Sequence, residues 1–441
     1  MIDEEIPLFD LRPWVKLSEV QFMEDLRQIM AAGQFIGGAP LVELQDAIRK
    51  LTGATTTLPL ASGTDALTIG LKALREANHW ARPVAVIPDF TFQATANAAL
   101  MAGYELVLTD IQPYDYCMGW QDAVFAIACR LREVGRGSPD GFVVVPVHLY
   151  GNVCDVPQIY SKVSELLRGH GLEDKLYVME DAAQGLGGVH YSGAPVGSMG
   201  DLAALSFFPT KPFGGYGDGG MLLATPRVGP AMDIAITISR QGLNFTKSFA
   251  TMAGTNSRLD AIQALAVLQK VRQAREIILD RTNLLSYYRK HLHQLEIKVI
   301  TQEVSENKYR LHSSCPSVLT VEQLNPEFTA ECLMVAGIKT GCYYSRPLHL
   351  QPAYRDFIAC KFYTTHIDPI TYVPTPISKW AADHCLSLPF FWGMRTEQVD
   401  HVIRALSEAM EAMEKHGTIR TDRGRGENGI RNPDDPPTGP A

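Results

Sequence analysis

Six short apolar runs between residues 84 and 224 constrain the fold of this chain more than any other feature. They occupy residues 84–87, 105–109, 142–147, 176–179, 203–207 and 221–224, and they alternate with helical stretches such as 65–77 and 92–102. Strands that are buried on both faces of a parallel sheet have this near-continuous apolar composition. The pattern therefore predicts an α/β protein with a mainly parallel central sheet and helices on both of its faces.

Further helical patterns flank this region on both sides, at residues 20–33, 41–52, 258–295 and 396–415. Beyond residue 416 the chain is rich in Gly, Pro, Arg and Asp and has almost no apolar residues, which is typical of disorder. We expect three parts: N-terminal helices with a large domain over 1–270, a smaller C-terminal α+β domain over 271–415, and a disordered tail over 416–441.

Charge and cysteine usage exclude several classes of protein. A formal net charge of −8 argues against a nucleic-acid-binding surface, which is normally basic. The eight cysteines include no Cys-x-x-Cys pair, which favours reduced thiols over disulfides or a structural zinc site. No apolar run approaches the roughly 20 residues of a membrane span, and the acidic start lacks a secretion-signal pattern. We expect a soluble cytoplasmic protein with no metal, nucleic-acid or membrane partner.

A carboxylate and an amine lie close to the ends of two of these apolar runs. Asp181 follows the run at 176–179, and Lys211 lies between the run at 203–207 and the glycine-rich segment 214–220. Ligands of such sheets bind beyond the carboxyl ends of the strands. Pyridoxal 5'-phosphate enzymes need a lysine that forms a Schiff base and a carboxylate that keeps the pyridine nitrogen protonated. The pair therefore predicts this cofactor, with Lys211 and Asp181 as the catalytic residues.

Each of these residues also has an ordinary explanation. An isolated lysine is usually solvated at the surface, and an acid at a strand end is often a turn former or a helix cap. Phe207, Phe208 and Phe213 flank Lys211, however, and apolar surroundings lower the pKa of an amine and favour the neutral nucleophile. The glycines at 214–220 favour a tight turn that lets Lys211 reach a cofactor, because no Gly-Lys-Ser/Thr follows them.

Other candidates carry weaker signals when each is taken alone. Residues 62–67 open a helix after an apolar stretch, where backbone N–H groups favour a phosphate, although an ordinary helix cap has the same composition. Ser206 could add a hydroxyl to that phosphate. Phe92 could stack on a flat ring, but a core phenylalanine is more common. For His148 and His349 the sequence alone favours satisfied interior histidines over site residues.

Eleven segments, taken in order, resemble one family. They lie at 6–10, 33–38, 62–67, 88–95, 148–151, 180–184, 206–211, 217–220, 254–258, 346–354 and 386–389. Among them are Glu-Asp-Ala-Ala-Gln at 180–184 and Ser-Phe-Phe-Pro-Thr-Lys at 206–211. In combination they resemble the DegT/DnrJ/StrS family of pyridoxal phosphate-dependent sugar aminotransferases, over about residues 6–410.

The resemblance implies the aspartate aminotransferase-like fold, called fold type I, and a homodimer whose active sites are shared between subunits. It implies that Lys211 is the Schiff-base lysine and Asp181 the partner of the pyridine nitrogen. The remaining implied contacts are Gly63, Thr64 and Ser206 at the phosphate, Gln184 near the ring hydroxyl, Phe92 over the ring, Asn256 at the phosphate of the neighbouring subunit, and Tyr344, His349 and His148 as candidate substrate contacts.

The implied reaction moves an amino group from an L-amino acid, with L-glutamate favoured, onto a nucleotide-linked ketosugar. A dehydratase branch of the family has histidine in place of Lys211, so the lysine favours amino transfer. Gly-Asp-Gly-Gly at 217–220 and the segment 343–349 are similar to members that aminate carbon 3. The chain departs from the common family pattern at 79–84 and at 212–213, both close enough to the site to alter substrate choice.

Two other classes of function stay open at this point. An aminocyclitol aminotransferase or a sugar dehydratase would use the same fold and cofactor. A non-catalytic regulatory protein is the more distant alternative, and it predicts loss of the lysine or its aspartate partner. The sequence does not identify the sugar, the nucleotide or the stereochemistry.

Overall fold

The structure of the protein is a computed structural model. It describes residues 5–133, 137–243, 246, 248–301, 315–355, 357 and 375–415. The disordered tail expected at 416–441 lies outside the described residues.

A seven-stranded sheet forms the centre of the molecule. Its strands are β1 Thr56–Leu60, β2 Pro83–Pro88, β3 Glu105–Thr109, β4 Gly141–Val144, β5 Leu176–Asp181, β6 Leu202–Ser206 and β7 Gly220–Ala224. Their order in the sheet is β1-β7-β6-β5-β4-β2-β3. Strand β7 is antiparallel to both of its neighbours, and the remaining neighbours pair in parallel. This confirms the predicted α/β class with a mainly parallel sheet.

Twelve α-helices lie in the described part of the chain. They are α1 Arg12–Ala32, α2 Ala39–Thr52, α3 Gly63–Ala77, α4 Gln93–Met101, α5 Trp120–Arg132, α6 Val156–Arg168, α7 Gly229–Ser239, α8 Ala261–Arg272, α9 Ala274–Gln294, α10 Pro326–Val335, α11 Pro376–His384 and α12 Thr396–Lys415. None of these helices has both the length and the apolar composition that crossing a membrane requires.

Helices cover both faces of the central sheet, and strand β2 shows how. Val84 and Val86 belong to the apolar core formed with α5 and α6, whereas Ala85 and Ile87 belong to the core formed with α3, α4 and α7. All four side chains are completely buried. Successive side chains of a strand point to opposite faces, so a strand with helices on both sides needs an uninterrupted apolar run.

A second, smaller sheet lies late in the chain. Strands β8 Leu319–Glu322 and β9 Cys385–Leu388 pair in an antiparallel arrangement. Their apolar residues form one core with α9, α10 and α12, and the N-terminal Ile6 joins this core through a bridge to Ile338. The division of the chain into domains at residue 270 stays a prediction.

Candidate active site

A cavity of about 390 Å³ opens where β5 and β6 end and where helix α3 begins. The carboxyl ends of parallel strands meet at one edge of a sheet, and that edge is where ligands of such folds bind. Eight of the eleven residues singled out from the sequence line this cavity: Gly63, Thr64, Phe92, Asp181, Gln184, Ser206, Lys211 and Tyr344. The fold therefore brings together residues that are up to 281 positions apart, from Gly63 to Tyr344.

Asp181 is the last residue of β5 and is only 4% exposed. One carboxylate oxygen, Oδ2, accepts a hydrogen bond of 2.8 Å from the Thr95 hydroxyl, and Oδ1 accepts one of 3.2 Å from the backbone N–H of Ala183. Burial raises the pKa of Asp181, while these hydrogen bonds and the nearby Lys211 act in the opposite direction. The carboxylate is therefore held in one orientation, with a partner on each oxygen.

Lys211 lies in a tight turn just after β6. Its backbone N–H donates to the Phe208 carbonyl at 2.9 Å, and its own carbonyl accepts from the Gly214 N–H at 2.9 Å. A Cβ at Gly214 would lie 2.2 Å from the Phe208 carbonyl oxygen, so only glycine fits there. Burial lowers the pKa of the Lys211 amine to about 8, and the charge of Asp181 opposes this shift. The lowered pKa increases the fraction of the amine that is neutral, and hence nucleophilic, near neutral pH.

The first turn of helix α3 forms another wall of the cavity. The side chain of Ser62 caps the helix by accepting from the Asp65 N–H at 3.0 Å. The N–H groups of Gly63 and Thr64 precede the first intrahelical hydrogen bond, which makes a helix N-terminus a favourable site for an anion. A Cβ at Gly63 would lie 2.8 Å from the Cβ of Ser206, so glycine lets the helix start lie against the end of β6.

Gln184, Phe92 and Tyr344 complete the wall of the cavity. Gln184 Oε1 accepts from the Tyr150 backbone N–H at 2.6 Å, and its Nε2 donates to the Tyr344 hydroxyl at 3.3 Å. Phe92 is 54% exposed, and its ring centroid lies 5.8 Å from that of Tyr344. An exposed aromatic ring in a cavity wall is suited to stacking on a flat ligand.

His148 lies in the protein interior and does not line the cavity. Its Nε2 donates to Glu180 Oε2 at 3.0 Å, and its Nδ1 accepts from the Cys154 backbone N–H at 3.1 Å. These two partners fix the neutral tautomer that carries its proton on Nε2. The placement gives no support to the proposed substrate contact, because both ring nitrogens are engaged within the protein.

His349 also lies outside the cavity wall of this chain. Its backbone N–H donates to Asp89 Oδ1 at 2.9 Å, and its Nδ1 hydrogen-bonds Oδ2 of the same carboxylate. The Thr375 hydroxyl donates to Asp89 as well. Asp89 directly follows β2 and is fully buried, so the histidine is anchored to the sheet. A contact of His349 with substrate stays a prediction.

Asn256 is exposed and does not line the cavity of its own chain. The next residue, Ser257, is buried; it donates to Asp65 Oδ2 at 2.6 Å and accepts from the Ala61 N–H at 3.1 Å. These bonds hold the segment beside the start of α3. The contact predicted for Asn256 with the phosphate of a neighbouring subunit stays a prediction.

Sequence analysis missed two polar residues of this region. Thr95 follows Phe92 by about one turn and binds Asp181, but a threonine early in a helix carries no signal of its own. Ser317 lines the cavity, and its buried hydroxyl has no hydrogen-bond partner among the described residues. Neither residue lies in a pattern that distinguishes it from ordinary threonines and serines.

A profile of the DegT/DnrJ/EryC1/StrS aminotransferase family matches residues 17–407. The chain belongs to this family. The predicted family and the predicted transaminase class are thereby confirmed.

Individual relatives resemble the chain over most of its length. It is 28% identical over 409 residues to the UDP-N-acetyl-3-dehydro-alpha-D-glucosamine 3-aminotransferase of Acidithiobacillus ferrooxidans, covering 92% of this chain and 98% of the relative. It is 30% identical over 383 residues to the UDP-2-acetamido-2-deoxy-3-oxo-D-glucuronate aminotransferase of Pseudomonas aeruginosa, covering 87% of this chain and 94% of the relative.

A solved structure supports the fold. The DegT DnrJ EryC1 StrS aminotransferase from Brucella abortus superimposes with a TM-score of 0.76 at 26% identity, covering 91% of this chain and 98% of that chain. The match confirms the α/β fold predicted from the sequence.

Proposed function

We propose that this family member uses pyridoxal 5'-phosphate to transfer an amino group from L-glutamate to the 3-keto group of a nucleotide-linked sugar. One observation carries the proposal: the Lys211 amine, the Asp181 carboxylate and the start of helix α3 all face the same cavity of about 390 Å³. An amine, a carboxylate and an anion-binding helix N-terminus are the three groups that this cofactor requires.

The residues present fit the cofactor. Gly63, Thr64 and Ser206 would hold the phosphate, because the close approach that Gly63 permits places a helix N-terminus and a hydroxyl together. Asp181, which is buried and oriented by Thr95, would pair with the pyridine nitrogen. Phe92 would cover one face of the ring, and Gln184 would lie near the ring hydroxyl. When bound, the cofactor supplies an electron sink for charge that develops at the substrate carbon.

Lys211 would have two tasks in this site. Its Nζ would hold the cofactor covalently in the resting enzyme, which requires the neutral amine that a pKa of about 8 makes available. Once the amino donor has displaced it, the free amine would take the proton from the donor α-carbon. In the second half-reaction Lys211 would deliver a proton to carbon 3 of the sugar. One positioned base can thus serve both half-reactions.

The sugar and the position of amination are inferred from the relatives. Both bacterial enzymes described above carry names that specify a UDP-linked sugar with an oxo or dehydro group at carbon 3. The Gly-Asp-Gly-Gly segment at 217–220 supports the same subgroup. Lys211 disfavours the dehydratase alternative, and the lysine together with Asp181 disfavours a non-catalytic role.

The proposal includes a cytoplasmic homodimer with shared active sites. The seven cysteines of the described residues are all free thiols, which fits a reducing compartment. Asn256 is exposed, and its neighbour Ser257 bonds to Asp65 in the first turn of α3, so its side chain is free to contact a second subunit.

An absorption spectrum with pyridoxal phosphate, before and after addition of L-glutamate, tests the function. We expect a visible band that glutamate bleaches, and that a UDP-linked 3-keto sugar restores as the amino sugar forms. Lys211→Ala should lose the band and all turnover, whereas Lys50→Ala, at an exposed lysine, should retain both. A band that glutamate leaves unchanged would contradict the proposed donor, and appreciable transamination by Lys211→Ala would contradict the catalytic assignment.

A further inference from the structure

A second, much smaller cavity of about 20 Å³ lies beside the catalytic lysine. Trp14, Lys270 and Arg281 line it, together with Lys211 and its neighbours Thr210 and Pro212. Trp14 belongs to α1, Lys270 to the last turn of α8, and Arg281 to α9. Three helices therefore direct one aromatic and two basic residues to the same small space.

The two basic residues are buried without a matching carboxylate. Lys270 and Arg281 are each 5% exposed, and within the described part of the chain neither forms an ion pair. Asp280 lies near enough to Arg281 to act on its charge, but its carboxylate accepts from the Gly393 N–H. Asp10 also lines the cavity, and both of its carboxylate oxygens accept hydrogen bonds from the Arg12 guanidinium. The site therefore carries an excess of positive charge.

Two buried hydrogen-bond donors of the residues that line this cavity have no acceptor among the described residues. Arg281 Nη1 donates to the Pro316 carbonyl at 3.0 Å, but its Nε has no partner among the described residues. The indole Nε1 of Trp14, a residue only 3% exposed, has none either. The Lys270 amine lies over the Trp14 ring, 5.7 Å from its centroid. Among the described residues this cation–π contact is the one polar interaction of the amine. Buried donors without acceptors are costly.

The electrostatic environment of Lys270 also indicates that a counter-charge is missing. Burial, followed by the neighbouring Arg281, lowers the pKa of Lys270 to about 7, and no acidic residue opposes the shift. A pair of buried positive charges is normally stabilised by a counter-charge. Among the described residues the chain does not supply one at this point.

We propose that this cavity is a binding site for a small anion, held by Lys270, Arg281 and the Trp14 indole. The volume of about 20 Å³ exceeds the roughly 10–15 Å³ that one water-sized occupant needs, so the cavity has room for a halide ion. An ion that only accepts hydrogen bonds matches a wall of donors better than water, which must also donate. The anion would neutralise the positive charge that Lys270 and Arg281 carry beside Lys211.

Binding of bromide tests this site in the holoenzyme. Exchange from sodium gluconate to sodium bromide at constant ionic strength should raise the melting temperature in a saturable way, by about 3 °C. Anomalous scattering from a bromide-soaked crystal should give a peak between Lys270 and Arg281. Lys270→Met should remove both effects, whereas Lys290→Met, at an exposed lysine of α9, should keep them.

Trp14→Phe provides a second variant that keeps the aromatic packing and removes one donor. We expect it to fold and to bind bromide about tenfold more weakly. The site is overturned if bromide stabilises Lys270→Met as much as the wild-type protein, if no saturable effect occurs, or if the crystal shows no bromide in the cavity.

Discussion

The Thr95 hydroxyl donates a hydrogen bond of 2.8 Å to Asp181 Oδ2 inside the candidate active site. The two residues come from different parts of the fold, since Thr95 lies in the first turn of α4 and Asp181 ends β5. A hydrogen bond to a carboxylate favours its charged form. It therefore counteracts the burial that raises the pKa of Asp181 and keeps the carboxylate available to a protonated pyridine nitrogen.

Replacement of Thr95 by valine tests this relationship. Loss of the hydroxyl removes an interaction that lowers the pKa of Asp181, so the carboxylate would need a higher pH to ionise. The acidic limb of the pH profile of kcat/KM should move to higher pH, with a loss of about tenfold on the acidic side. Thr68→Val is the matched control, because the Thr68 hydroxyl bonds only to the Thr64 carbonyl of its own helix. An unchanged acidic limb in Thr95→Val would contradict the role of the bond.

The rate at which the apoenzyme takes up pyridoxal phosphate should depend on the ionisation of Lys211. Covalent attachment needs the neutral amine, and burial lowers its pKa to about 8 from 10.5. The rate, measured from the growth of the visible absorption band, should rise with pH and level off above a midpoint near pH 8. For a lysine with the ordinary pKa of 10.5 the midpoint would lie above pH 10. The Asp181 charge raises the lysine pKa, so Asp181→Asn should shift the midpoint below that of the wild-type protein. A shift to higher pH would contradict this coupling.

The sheet could be predicted because its strands are buried on both faces. The apolar run at 105–109 coincides with β3 Glu105–Thr109, and the run at 176–179 lies within β5 Leu176–Asp181. The antiparallel direction of β7 could not be predicted, because an apolar run has no polarity. The helix predicted at 20–33 begins earlier, at Arg12 in α1. Val15, Leu17 and Val20 are exposed, so the apolar residues of its first turns do not mark one buried face.

From the residues alone, a site residue could be predicted only where a side chain of suitable chemistry also lies close to the end of a predicted strand. Lys211 and Asp181 are ionisable residues close to the ends of two buried runs, and both line the cavity. His148 also follows a buried strand, β4, whereas His349 lies in a short 3-10 turn at Leu348–Leu350, and the direction of both side chains depends on packing. Hydrogen bonds to Glu180 and Asp89 hold the two histidines away from the cavity. The local sequence around each histidine does not reveal these contacts.

Glu180 should be essential for the stability of the site although it does not line the cavity. Its two oxygens accept from the His148 imidazole and from three backbone N–H groups, those of Gly197, Met199 and Gly200. An amide in Glu180→Gln would turn an N–H₂ group toward two of these donors. We expect a loss of about 3 kcal/mol in the free energy of unfolding, measured by urea denaturation. Glu165→Gln, at an exposed residue, should leave it unchanged; equal stability of both variants would contradict the prediction.

Subunit mixing tests whether Asn256 acts across a dimer interface. Lys211→Ala and Asn256→Ala homodimers should each be impaired, because every site lacks one residue. In a mixed dimer, one site combines the intact Lys211 of one subunit with the intact Asn256 of the other, and the second site lacks both. Unfolding and refolding the two variants together should therefore restore about a quarter of wild-type activity, since half the dimers are mixed and half of their sites are complete. Refolding Lys211→Ala with Asp181→Asn is the control, because these residues belong to the same chain's cavity and each mixed site lacks one of them. No recovery in the test pair would show that Asn256 does not serve the neighbouring subunit, and equal recovery in the control would show that the activity of the test pair does not depend on Asn256.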